Sequence, residues 1–423
     1  MTTRRHFLGS GLALAAGRAL AQSAAGTGRR VVIVGGGWGG LTAAARLRQA
    51  APELEVLLVE REAAFRSLPL SNKWLVDLTP DALVRHDYAT TARALGYRAL
   101  QSEVSAIDRE RRRVHTPQAV LSYDWLILAA GIRYDYAPWL GDDPRAIEAA
   151  RSLYPAGFMA GELDALRPKL AAFKGGDLLM TVPPGPYRCP PAPYERAVMI
   201  AWWLKTRRIR ARLVLVDAGG GMQRFNRILA ERYKDQVLHL THAAVKSIDP
   251  FKKTLNTEFD EIKFDDAIII PPQRAAELVA QADLLDTDAA GRRGAWAAFD
   301  PLHLHAIGDE RVFLVGDLLG RASPLFGHYP KSAHMAAQLG RIAADEIAAR
   351  SRGKLPMPAL PESVCHVYTD VEPMEMMRID AQYRRRGDGL ISQSLRQHED
   401  PQPRGEDVAW ARGLFAEMLA PGG

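Results

Sequence analysis

Two cysteines occur in this 423-residue chain, and the first stands inside Arg188-Cys-Pro-Pro-Ala-Pro-Tyr-Glu-Arg196. A thiol becomes a nucleophile or an exchange partner as it ionises, and cations such as Arg188 and Arg196 beside Cys189 would favour that. Glu195 is an acid placed to accept a proton once burial brings it toward neutrality. It has a second reading, as an acid in the first turn of a helix expected over Tyr194 to Lys205. The other cysteine, Cys365, lies in a late segment rich in proline, methionine and charge. Two cysteines allow one pairing. As a staple it would close a long loop and contribute roughly 5 kcal/mol, whereas as a redox centre it would offer an electrophilic sulfur to a soft nucleophile. Position favours the second, because a staple has no need of the crevice at a strand's carboxyl end, where open α/β sheets take ligands.

That crevice is implied by the elements around it. Gly176 to Val182 reads as a buried strand, and a glycine turn is expected after it in a nucleotide-binding unit, yet Pro183-Pro-Gly-Pro follows. Proline supplies no N–H, so this run cannot present the row of amides that a pyrophosphate needs. The first unit does carry the turn: Arg29-Arg-Val-Val-Ile-Val-Gly-Gly-Gly-Trp-Gly-Gly40 is a strand running into G-x-G-x-x-G at Gly35, Gly37 and Gly40. Helical spacing continues from Leu41 to Gln49, and the next strand, Leu54 to Glu60, ends in an acid placed to bond a ribose hydroxyl. FAD and NAD share this fingerprint. Further along, Tyr123 to Ile132 is a buried strand ending in a small-residue turn at Gly131, and Val312-Phe-Leu-Val-Gly-Asp317 is a late strand ending in Gly-Asp.

These elements predict an α/β protein with a discontinuous dinucleotide-binding domain over residues 29–150 and 291–353. A second Rossmann-like domain without the fingerprint occupies residues 151–290, with strands near Leu178 to Val182, Arg212 to Asp217 and Ala267 to Ile270. Residues 354–423 form a C-terminal segment ending in a helical stretch from Val408 to Leu419. The N-terminus carries Thr3-Arg-Arg-His-Phe-Leu8, a short apolar run and Ala19-Leu-Ala21. This is a twin-arginine export signal over residues 1–21, which predicts a periplasmic destination and a passenger folded around its cofactor. No later apolar run is long enough to span a bilayer. The signal's three arginines make up half of the formal charge of +6, leaving a balance too mild to argue for nucleic acid. His303, His305, His328 and His334 form no metal-ligand spacing, and Trp202, Trp203 and Met374 to Met377 read as packing residues.

Taken together, Val34-Gly-Gly-Gly-Trp-Gly-Gly40, Pro69-Leu-Ser-Asn72, the Arg188-Cys-Pro-Pro block, Ile270-Pro-Pro-Gln-Arg274, Gly316-Asp317, Pro330-Lys-Ser332 and Cys365 carry a resemblance. The chain resembles the flavoprotein subunit of flavocytochrome c sulfide dehydrogenase, within the sulfide:quinone reductase group. That resemblance implies two glutathione-reductase-like dinucleotide domains with a C-terminal interface segment. It also implies FAD, sulfide as substrate, a Cys189–Cys365 redox disulfide beside the flavin, and a separate c-type cytochrome subunit. Glu195 matches an acid near flavin and disulfide, Asp317 would meet the ribityl chain, and Lys331 would reach the flavin's pyrimidine end. Where the family commonly tethers FAD through cysteine, this chain has Leu68, so non-covalent FAD is expected. The loop from Gly320 to Tyr329, longer than the family's, is expected to approach the flavin.

No Cys-x-x-Cys-His occurs, so any haem belongs to a partner. A sulfide:quinone reductase is the competing enzyme, and a non-catalytic, flavin-bearing persulfide carrier is the reading from another class. NAD(P)H oxidation is disfavoured by the proline run after Val182.

Overall fold

The unbroken apolar runs predict strands covered on both faces, and they form the centre of the first sheet. The computed structural model describes residues 29–420; the export signal expected over residues 1–21 lies outside the described residues. Strand Arg30–Val34 pairs in parallel with Glu55–Glu60 on one side and Trp125–Leu128 on the other. Arg98–Gln101 extends one edge, and Asp309–Leu314 joins Trp125–Leu128 in parallel on the other. The chain thus returns to its first sheet after a long excursion.

That excursion builds a second parallel sheet in the order Val237–Leu240, Ala211–Asp217, Gly176–Val182, Asp266–Ile268. The two units are tied by Ile132–Tyr134 pairing antiparallel with Gln273–Ala275. The carboxyl ends of the first sheet open on the site, and the loop that follows strand Gly176–Val182 of the second reaches it at Arg188 and Cys189.

The C-terminal segment departs from the sequence reading. Beyond its expected helix, Glu406–Met418, it holds a three-stranded antiparallel sheet of Glu362–Val371, Met374–Arg385 and Ile391–Asp400. One face of its middle strand is covered: Met377, Ala381 and Tyr383 are buried while the alternate positions Arg378, Gln382 and Arg384 are exposed, an alternation that its charge content hid. Asp370, wholly buried, accepts from Tyr233 Oη at 2.5 Å and pairs with Arg232, which also reaches Glu375 at 2.8 Å. Arg224 pairs with Glu375 as well. These contacts fasten the sheet to the second unit.

Helix Trp38–Ala50 packs on helix Ala333–Ser351, and the crossing is closest where Gly340 faces Gly39. A β-carbon on Gly340 would run into the Gly39 carbonyl oxygen. Gly340→Ala is therefore expected to separate the helices and cost about 1–3 kcal/mol, as overpacking does. Urea denaturation of the folded chain measures this, and an unchanged midpoint would refute the crossing as tightly packed.

Candidate active site

The carboxyl ends of the first sheet open on a cavity of about 1040 Å³. The three fingerprint glycines have separate tasks there. Gly35, at φ +102°, makes the tight turn, and a β-carbon would come within 2.5 Å of the Ala129 carbonyl oxygen. Gly40 abuts the Gly35 carbonyl, which seats the helix against its strand. Gly37 faces open space, with nothing within 4 Å of a β-carbon, and it caps helix Trp38–Ala50. An anion can therefore approach bare backbone at a helix N-terminus. Glu60 lines the same end, accepting from Gly36 N at 2.6 Å and Glu62 N at 2.9 Å, with lone pairs left for a hydroxyl. Gly131, at φ +69°, and Asp317 also line the wall.

At the far end lie the thiols. Cys189 adopts φ +50°, a left-handed backbone unusual for a side chain with a β-carbon. Its N–H donates to the Lys331 carbonyl at 2.7 Å, and its own carbonyl accepts from Ala192 N at 2.9 Å. The proline run thus bends back into helix Ala192–Thr206 and aims the thiol into the cavity. Cys365 sits on strand Glu362–Val371, also in the cavity wall. Both cysteines are free thiols facing one cavity, and Cys189 lies close enough to Cys365 for contact between the side chains to act on its ionisation. That contact first, then burial, then the charges of Cys189 and Glu195 push the Cys365 thiol well up.

Glu195 is half-buried in the same wall. Its carboxylate accepts from Asn72 Nδ2 at 2.6 Å and Tyr368 N at 2.8 Å. Burial outweighs these hydrogen bonds and pushes the carboxyl up to about 7. Arg196, buried beside it, donates to Asn72 Oδ1 at 2.9 Å and to the carbonyls of Gly157 and Ala156. The Cys189 charge acts on this guanidinium.

Two expectations are corrected. Lys331 does not line the cavity: its ammonium donates to the carbonyls of Asp317 at 2.7 Å and Leu319 at 3.0 Å, and lies 3.6 Å from the Trp296 ring centre. Burial pulls it down to about 7, and its task here is to clamp the turn bearing Asp317. The loop from Gly320 to Tyr329 stays out of the cavity wall too. It forms a hairpin, Arg321–Ser323 with Gly327–His328, turned onto the C-terminal sheet. Phe326 and Tyr329 pack on Tyr383 at 5.2 and 4.8 Å, and Ser323 Oγ donates to the Ile391 carbonyl at 2.6 Å. Burial of those aromatic rings decides its direction.

Arg188 and Asp317 form an ion pair at 2.6 Å, and a second Arg188 nitrogen donates to the Phe158 carbonyl. Asn72, Lys73, Tyr368 and Asp407 line the cavity around Glu195 without having been singled out from sequence. Asn72 stood in a motif quoted for the resemblance, but nothing in the sequence marks Tyr368, which contributes a backbone N–H. Among the described residues no group of three or more His, Cys, Asp or Glu could hold a metal ion.

The cavity fits a dinucleotide in its own terms. Bare backbone at Gly37 and the acid Glu60 stand at one end, while the buried atoms Trp38 Nε1, His366 Nδ1 and Trp410 Nε1 on its walls have no hydrogen-bond partner. Residues 163–271 match the family described as "Sulfide dehydrogenase [flavocytochrome c] flavoprotein chain, central", and residues 29–162 match "Pyridine nucleotide-disulphide oxidoreductase". A sulfide dehydrogenase flavoprotein chain from Chlorobaculum thiosulfatiphilum is 50% identical over 44 residues, 10% of this chain and 92% of that sequence. The chain belongs to the sulfide dehydrogenase flavoprotein family. This family lies within a wider group. The mitochondrial sulfide:quinone oxidoreductase of Schizosaccharomyces pombe is 24% identical over 233 residues, 50% of this chain and 48% of that one. The chain thus spans about half the length of that curated relative. The sulfide:quinone oxidoreductase of Aquifex aeolicus has the same two-domain α/β flavoprotein fold, with a TM-score of 0.72 and 19% identity over 93% of both chains.

In this chain, Asn72 joins Glu195 to Arg196. Asn72→Ala is expected to cost about 1–3 kcal/mol, because it strands a donor of Arg196. The Glu195 midpoint should rise above about 7 as a hydrogen bond that favours its ionised form is lost. Urea denaturation reads the first effect and infrared titration of the protonated carboxyl the second; a midpoint that falls would contradict the assigned bond.

Proposed function

We propose that this protein is an exported, FAD-dependent sulfide dehydrogenase that passes electrons to a c-type cytochrome subunit. One observation carries the reading: two adjoining thiols and a carboxyl poised at about 7 share a cavity with a dinucleotide-binding glycine turn. The family membership supports a flavin there, held by Gly35, Gly37, Gly40, Glu60, Gly131 and Asp317. Leu68 lines the cavity and both cysteines are engaged with each other, so FAD binds without a covalent tether. NAD(P) has no place in the second unit. The proline run replaces its phosphate loop, and Asp217, at the end of the second strand, is occupied by Tyr194 Oη at 2.8 Å and His239 at 3.2 Å.

Bound FAD supplies a two-electron acceptor for the dithiol and a one-electron donor for the partner's haem. The residues of this chain handle the sulfur. With Cys189 and Cys365 oxidised to a disulfide, hydrosulfide attacks one sulfur; a new S–S bond forms, the old one breaks, and its electron pair leaves on the other cysteine as thiolate. Contact with Cys189 and burial disfavour a thiolate on Cys365, and the Arg196 guanidinium interacts with the charge of Cys189. Attack at Cys365 with Cys189 leaving is therefore the favoured direction, ending with a persulfide on Cys365. Glu195, hydrogen-bonded on both oxygens, accepts the proton of H₂S. It is neutral below about 7 and ionised above, so the base form is gained as pH rises.

The relationship to sulfide:quinone oxidoreductases supports quinone as the alternative acceptor. Against it, the C-terminal helix spends its apolar face within the fold: Phe415 stacks on Trp38 at 5.3 Å, and Met418 is buried. No helix among the described residues is long and apolar enough to cross a membrane.

Anaerobic stopped-flow mixing with sulfide should bleach the oxidised flavin band, and Cys189→Ser or Cys365→Ser should abolish the bleaching. Glu195→Gln should slow it by about 10²-fold and remove the limb rising through pH 7, which separates Glu195 from hydrosulfide's own ionisation. Turnover with cytochrome c and not with a soluble quinone is expected. Quinone-only turnover, or persulfide formation without bleaching, would sink the proposal.

A further inference from the structure

Glu195 is governed by more than its immediate donors. Around it stand Asn72 and Lys73 on helix Ser71–Leu75, Arg196 on its own helix, Cys189 in the preceding loop, Cys365 and Tyr368 on strand Glu362–Val371, and Asp407 on the C-terminal helix. Lys73 and Asp407 form an ion pair at 3.0 Å, with relative exposures of 9% and 2%. Tyr368 joins that pair to Glu195. Its hydroxyl lies 3.2 Å from Lys73 Nζ and donates to Asp407 Oδ1 at 3.1 Å, its ring centre lies 4.5 Å from the ammonium, and its backbone N–H donates to Glu195 Oε1 at 2.8 Å.

We propose that the Lys73–Asp407 pair is a positioning element for Glu195, fixing its donor through Tyr368 and setting by two opposed charges how readily it exchanges a proton. A buried ion pair adds little net stability over an apolar replacement. What this one adds is a cation and an anion near the carboxyl in a region poorly screened by water. The anion opposes ionisation of Glu195 and the cation favours it. Removing either charge alone must then displace Glu195 in opposite directions, a signature that a purely structural pair does not have. This inference rests on Glu195 acting as the base, and the test keeps the two claims apart.

The Glu195 midpoint is read by infrared titration of the protonated-carboxyl band of the full FAD-loaded chain, assigned by its loss in Glu195→Gln. Asp407→Asn is expected to lower the midpoint and Lys73→Met to raise it, each by at least about half a unit, while Lys73→Arg leaves it near that of the parent. The pH profile of flavin bleaching by sulfide should follow the same order. Shifts in one direction for both variants, or none in either, overturn the proposal. If Asp407→Asn yields no folded protein, Lys73→Met against Lys73→Arg decides alone: a rise confined to Lys73→Met supports the proposal, and no rise overturns it. An infrared midpoint that moves while the rate profile stays fixed leaves this proposal standing and removes Glu195 from its role as base.

Discussion

A carboxyl in a cavity wall is tolerable only where donors meet it, and those of Glu195 come from separate stretches of chain. Asn72 belongs to the first dinucleotide unit, Tyr368 to the C-terminal sheet, and Glu195 itself to the helix that follows the second unit's first strand. The site therefore exists only when all three pieces are seated. Desolvation is strong enough to outweigh both hydrogen bonds, so the same assembly that holds the carboxyl also raises it to about 7.

The thiol pair depends on the same convergence. Cys189 reaches the cavity because its left-handed backbone and its bond to the Lys331 carbonyl turn the proline run inward. Lys331 in turn holds the Asp317 and Leu319 carbonyls with its ammonium, so one residue links the thiol loop to the turn that closes the first sheet. Cys365 arrives on a strand fastened to the second unit through Asp370 and Glu375. No single unit contains both sulfurs, so the thiol pair is a property of the assembled chain.

Much of this was legible beforehand because local patterns carried it. Gly35, Gly37 and Gly40 are marked by their spacing alone, and buried parallel strands announce themselves as apolar runs. The three-stranded C-terminal sheet was not legible, since one face is open to solvent and its alternation is diluted by charge. Lys331 misled for another reason: its sequence position puts it beside the cavity, but a side chain of that length has a choice of direction, and two backbone carbonyls and the Trp296 face win it. Tyr368 and Asp407 act from more than 170 positions away from Glu195 or through a third residue, and no motif encodes such reach.

The second unit keeps the frame of a nucleotide fold and has a proline run where a phosphate loop would stand. Its parallel strands remain, and an acid still ends the second of them at Asp217. In a nucleotide site that acid would face a ribose hydroxyl; here Tyr194, from the helix after the proline run, and His239, from the next strand, take its oxygen, and the Gly219 amide takes the other. Tyr194 stands five residues beyond Cys189 and one before Glu195, so the helix that occupies Asp217 also carries the cavity carboxyl. The proline run after Val182 and the placement of Cys189 thus belong to one stretch of chain, the path from Gly176–Val182 into helix Ala192–Thr206.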